Sequence, residues 1–192
     1  MQVVRITGGL GNQMFQYAFG EYLKLVNQDE VYLDISDYDH HQNHQGFELE
    51  RVFSGTEIKT LPAEELNKLR VDHNSFHVKA LEKLLHVQLR RHSEFREYPA
   101  TIAVVPSASK ASIYYDGYWG MKEYIQTAED AIRRSFAFRY VPEGKNKELL
   151  DRIQERGNTV GVHVRRGDYL NHPNLAGGYV IPRITGKRWS IS

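Results

Sequence analysis

Two short segments of this 192-residue chain hold residues suited to binding phosphate. The first is Gly8-Gly9-Leu10-Gly11-Asn12-Gln13-Met14-Phe15-Gln16. A glycine turn lets backbone N–H groups approach a ligand closely, and a helix starting there aims its positive end at that ligand. Gly9-x-Gly11, with Asp34 downstream, also matches part of a dinucleotide fingerprint, although Met14 stands at the third glycine position. A tight turn with no ligand is the alternative. The second segment is His163-Val164-Arg165-Arg166-Gly167-Asp168-Tyr169. Guanidinium groups form forked hydrogen bonds to phosphate, so a diphosphate is the natural partner of two adjacent arginines. Surface ion pairing of Arg165 or Arg166 with Asp168 is the alternative there.

Both segments need elements to position them. Val3 to Thr7 is β-branched and predicts a buried strand ended by Gly8-Gly9. From Asn12 to Leu25, Met14, Tyr17, Ala18, Tyr22 and Leu25 recur at helical spacing. Val31 to Asp34 predicts a second strand, so the chain opens as a βαβ unit with a parallel, Rossmann-like sheet. Residues 36–60 read as loop. Helices are expected over Pro62 to Arg70, over Val78 to Arg91, over Met121 to Phe136 and over Lys145 to Arg156, the last stopped by Gly157-Asn158. Strands are expected at Ile102 to Val105, closed by Pro106, and at Thr159 to Val164 as a buried strand leading into the arginine segment. Ligands of open α/β sheets bind outside the carboxyl ends of strands, which is where both segments fall.

Composition narrows the function classes. Lys plus Arg number 25 and Asp plus Glu 24, a formal net charge of +1 without the basic excess of a nucleic-acid binder. There is no Cys, which removes disulfides, thiolate metal sites and cysteine nucleophiles. No apolar run approaches the ~18 residues of a membrane span, and a strand begins almost at Met1, so a cytoplasmic location is expected. His40, His41 and His44 offer a metal site only if they share a helix face; a solvated polar loop is the plainer reading. Leu81, Leu84, Leu85 and Leu89, with Lys79, Lys83, Arg90, Arg91 and Arg96, describe a basic amphipathic helix. Packing on the sheet is the expected use of its leucines, with peripheral contact to the inner face of a membrane kept open. Tyr114, Tyr115, Tyr118 and Trp119 either stack on a sugar or fill the core.

GGLGNQMFQYAFG near the N-terminus, followed by YYDGYWGMKEYI and then GVHVRRGDYL, resembles the α-1,2-fucosyltransferases of glycosyltransferase family 11. Gly120 stands where that family usually has Gln. The resemblance covers residues 2 to about 178. It implies a GT-B-type enzyme with two facing Rossmann-like domains. Residues 1–157 would form the N-terminal, acceptor-side domain, and residues 158–178 the start of the donor-binding domain. It implies GDP-β-L-fucose as donor and a galactose-containing glycan as acceptor, joined in α-1,2 linkage with inversion. By motif position Arg166 would hold the donor diphosphate, His163 and Arg165 would shape the nucleotide pocket, and Asp168 would orient the arginines or meet the sugar. Gly9, Gly11, Asn12 and Gln13 would line the cleft from the acceptor side. Such transfer passes through an oxocarbenium-like state with a diphosphate leaving group. The adjacent arginines are assigned the neutralising role, so no metal or other cofactor is expected. Asp168 is one candidate general base, and a carboxylate outside this chain is the other.

Two Rossmann-like domains exceed what 192 residues provide at ~100–200 residues each. The tail from Tyr179 to Ser192, YVIPRITGKRWSIS, has no likeness to the family. A back-translation in a shifted frame from Gly178 reads LCNPPYYRKAMEYI, which is similar to the family's continuation. A truncation or frameshift near Gly178 is therefore expected, with impaired activity in this chain. A dinucleotide-binding oxidoreductase fragment and a non-catalytic remnant are the competing expectations.

Overall fold

The computed structural model describes residues 1–40, 45–97 and 111–161. The chain divides into two compact units, Met1–Val141 and Pro142–Ser192. In the first unit, β1 (Gln2–Arg5), α1 (Leu10–Asn27) and β2 (Val31–Asp34) form the expected βαβ start. The single turns α2 (Asp37–His40) and α3 (Leu49–Val52) follow, then α4 (Ala63–Leu69), α5 (Phe76–Leu85), β3 (Glu94–Arg96) and β4 (Ile113–Asp116). The unit ends with α6 (Lys122–Thr127) and α7 (Glu129–Ser135).

All pairings in the sheet are parallel, in the order β2-β1-β4-β3. Successive side chains of a strand point to opposite faces, and the core divides accordingly. Val4, Ile6, Ile113 and Tyr115 join Phe19 and Leu23 of α1 on one face. Val3 and Tyr114 meet Leu66 and Leu69 of α4 on the other. Covering a parallel sheet on both faces is the Rossmann-like arrangement, and it explains why its strands are apolar without alternation.

Several sequence expectations change here. The stretch 36–60 is not all loop, because α2 and α3 are four-residue turns too short to show a period. The helix expected over Met121 to Phe136 is broken at Ala128 into α6 and α7. The leucine helix ends at Leu85, with His86 in the left-handed conformation (φ 53°), and none of its residues is buried against the sheet. β3 has no apolar pattern because its residues, Glu94-Phe95-Arg96, form a polar edge strand. The strand expected at Ile102 to Val105 lies outside the described residues.

In the second unit α8 (Gly144–Arg156) stops at Gly157, whose φ of 70° suits glycine, as the sequence indicated. Thr159 to Gly161 is not in a strand, and Val160 is exposed. The remainder of that expected strand lies outside the described residues. So do the arginine segment His163-Val164-Arg165-Arg166-Gly167-Asp168 and the tail to Ser192.

Candidate functional site

The chain runs from β1 to β2 on one side and places β4 on the other, so β1 sits at the point where strand order reverses. Open α/β sheets bind ligands beyond the carboxyl ends of the strands at such a point. A cavity of about 380 Å³ opens there, within the size range of small-molecule sites. Arg5 and Thr7 of the β1 end, Asp116 at the end of β4, Arg96 of β3 and Tyr118 are among its walls.

A row of alternating charge crosses this edge. Arg5 donates from Nε and Nη2 to Asp37 Oδ2, at 3.0 and 2.6 Å, and from Nη1 to Asp116 Oδ1 at 2.9 Å. The second oxygen of Asp116 pairs with Arg96 Nε at 3.3 Å, and Arg96 reaches Glu94 at 3.2 Å. Burial would lower the pKa of Arg5, but the carboxylates of Asp116 and Asp37 outweigh it and hold the guanidinium charged. Because each charge in the row is compensated, the described residues of the cavity wall offer no unpaired cation to an anionic diphosphate. The cavity's fixed donors and acceptors suit a neutral, hydroxyl-rich ligand.

The aromatic segment after β4 separates into core and site. Tyr114, Tyr115 and Trp119 are buried, whereas Tyr118 is 57% exposed on the cavity wall. The turn that sorts them is tight. A Cβ at Gly117 would lie 2.5 Å from Glu97 Cβ, and Trp119 takes φ of 57°, a value few non-glycine residues adopt. Glu97 Oε2 accepts the Tyr118 and Trp119 N–H groups at 2.6 and 2.9 Å, and Trp119 stacks on Phe19 with centroids 4.3 Å apart.

The glycine turn is held from below by two buried glutamines of α1. Gln13 Nε2 donates to the carbonyls of Gly8 and Gly46 at 3.0 and 2.9 Å, and its Oε1 accepts the Glu48 N–H at 2.8 Å. Gln16 Oε1 accepts the Thr7 N–H at 2.9 Å, and its Nε2 donates to the Gly117 carbonyl at 3.1 Å. The Gln13 amide is thus fully used in pinning loops together. Gly8 has φ of 79°, and a Cβ there would meet Asn12 Nδ2 at 2.5 Å. Gly9 is the uncapped N-cap of α1, and a Cβ at Gly11 would meet nothing within 4 Å. Tyr38 donates to the Gly8 carbonyl at 2.8 Å; burial and the Asp37 and Glu48 carboxylates push its phenol up to about 12. Gln16 carries no catalytic signature, and only its spacing of three from Gln13 on one helix face hinted at its role. Gln16→Ala leaves a buried N–H and carbonyl unsatisfied and is expected to cost about 2–4 kcal/mol. Urea denaturation checks this, and a cost under ~0.5 kcal/mol would show that the two loops hold without it.

Asp34 corrects the dinucleotide expectation. It is buried at the end of β2, where Oδ2 accepts from Arg70 Nε at 2.7 Å and Tyr114 OH at 2.8 Å, and Oδ1 accepts the Ser36 N–H at 3.0 Å. Buried and engaged by three donors within the domain, it is not presented to a ribose. Met14 fills the third glycine position by packing against the core. Asp37-Tyr38-Asp39 spells an Asp-x-Asp, but Asp37 is committed to Arg5. Among the described residues no group of three His, Asp or Glu side chains could hold a metal. His41 and His44 lie outside the described residues.

The fold defines a Rossmann-like domain with an open cavity at the sheet switch point. The family model for glycosyl transferase family 11 matches residues 1–184, and the chain belongs to that family. It is 31% identical over 181 residues to an alpha-1,2-colitosyltransferase of Escherichia coli, covering 88% of this chain and 56% of that protein. The chain therefore spans about half the length of the curated relative it matches. No solved structure matches it significantly.

Proposed function

We propose that this chain supplies the acceptor-side domain and the start of the donor-binding domain of a GT-B-type, inverting glycosyltransferase. It would move L-fucose from GDP-β-L-fucose to a galactoside hydroxyl in α-1,2 linkage. The observation that carries this reading is the family match, which runs through both the glycine turn and the His163 to Asp168 segment. The charge-compensated cavity beside Tyr118 supports it as a seat for the neutral acceptor sugar. The relative's name supports a donor of the fucose kind, with colitose, L-fucose lacking one hydroxyl, as the other candidate sugar.

In the proposed reaction the acceptor hydroxyl attacks the anomeric carbon as the bond to the diphosphate oxygen breaks on the opposite face. Arg166, helped by Arg165 and His163, takes up the charge gained by the departing GDP. Asp168 receives the hydroxyl proton. Arginines supply the neutralisation in this scheme, so transfer is expected to survive EDTA.

Thermal unfolding with added ligands tests the reading. GDP and GDP-fucose at ~100 times Kd should each add about 2.7 kcal/mol, roughly 5–10 °C for a chain of this size, while NAD adds nothing. Labelled fucose should then pass to a galactoside, at an impaired rate in this chain, and comparison with GDP-colitose assigns the donor. Equal shifts with NAD and GDP would overturn the transferase reading. GDP binding without any transfer would identify a non-catalytic remnant.

A further inference from the structure

Helical periodicity points the leucines of α5 at the sheet, yet the structure leaves them outside. Phe76 and Leu84 are 78% and 74% exposed, and Leu81, Leu85 and Val87 lie open beside them. At 100° per residue Phe76, Ala80, Leu84, Leu81 and Leu85 sweep about half of the helix circumference, with the exposed imidazole of His77 among them. The helix is tethered by its other side. Glu82 Oε1 accepts the Leu89 N–H at 2.9 Å and lies 2.8 Å from His73 Nδ1, which turns the single carboxylate of α5 inward. Lys79 and Lys83 edge the apolar arc, exposed and without an ion-pair partner among the described residues. Arg90 and Arg91 follow in the sequence.

An outward arc of Phe and Leu, edged by lysines and lacking any outward carboxylate, matches the chemistry of an anionic lipid surface. The apolar side chains enter the acyl boundary while the ammonium groups meet the headgroups. A second copy of this chain would set Lys79 and Lys83 against the same lysines, so like charge opposes self-association through this face. We propose that α5 docks the protein peripherally on an anionic membrane surface. No helix of the described residues is long and apolar enough to cross a membrane, so the contact lies along the surface.

Co-sedimentation of the full chain with phosphatidylcholine vesicles, with and without phosphatidylglycerol, tests the proposal. Binding is expected with phosphatidylglycerol and at least about tenfold weaker without it. Leu84→Glu should weaken binding about tenfold, and Lys79→Gln with Lys83→Gln should abolish the preference for the anionic lipid. Both sets change exposed side chains, and an unchanged thermal midpoint confirms folding; if Leu84→Glu unfolds, the lysine pair decides. Absent binding, equal binding to both vesicles, or variants that bind like the wild type would overturn the proposal. So would a dimer in solution that Leu84→Glu dissociates without any effect on vesicle binding.

Discussion

Asp34→Asn is expected to destabilise the domain by about 3–5 kcal/mol. The carboxylate is 3% exposed and holds Arg70, Tyr114 and the Ser36 N–H together where β2, β4 and the segment after α4 converge. An amide keeps the shape but leaves the Arg70 guanidinium, itself only 15% exposed, without its countercharge. Burial alone would raise the pKa of Asp34; the hydrogen bonds from Ser36 and the Arg70 charge outweigh it and hold the carboxyl below its ordinary value. A depressed folded pKa means that this stabilisation is fully present above the unfolded value of about 3.9 and disappears as pH falls through the folded one. Urea midpoints followed downward from neutral pH should fall below about pH 4 in the wild type, with a shallower acid slope in Asp34→Asn. Parallel slopes, or a loss under ~1 kcal/mol, would mean that Asp34 is not the residue joining these elements.

Arg166→Ala is expected to weaken GDP binding about 100-fold and to lower kcat/KM for transfer about 1000-fold. The expectation follows from the proposed reaction, in which the leaving diphosphate gains charge that a forked guanidinium meets with two parallel hydrogen bonds. Arg166→Lys keeps the charge without the fork, so it should recover part of the binding and less of the rate. Calorimetry with GDP reads the first effect on the chain itself, and initial rates with GDP-fucose and a galactoside read the second. A tenfold or smaller change in Arg166→Ala would move the diphosphate to another group, with Arg165 the first to test.

The βαβ start, the glycine turn, the Gly157 stop and the family were legible in the residues alone. These rest on local information: a run of β-branched residues, a 3.6-residue period, a glycine where φ must be positive, and a motif read in order. What the charged residues do emerges only in the folded chain. Arg5 and Asp116 are 111 positions apart and meet only because β1 lies between β2 and β4. Asp34 has the sequence position of a ribose-binding acid, and the fold spends it on Arg70 and Tyr114. Gln13 and Gln16 look like members of a ligand motif and in the folded chain hold three loops in place. The α5 leucines carry a regular period, but a period specifies only that they share a face, not what that face meets. β3 was invisible because a polar edge strand takes its structure from the neighbour it pairs with, and Tyr114 to Asp116 of β4 provide that pairing. Local patterns record neighbours within a turn or two of chain, whereas charge partners and exposed faces follow from strand order, which those patterns do not encode.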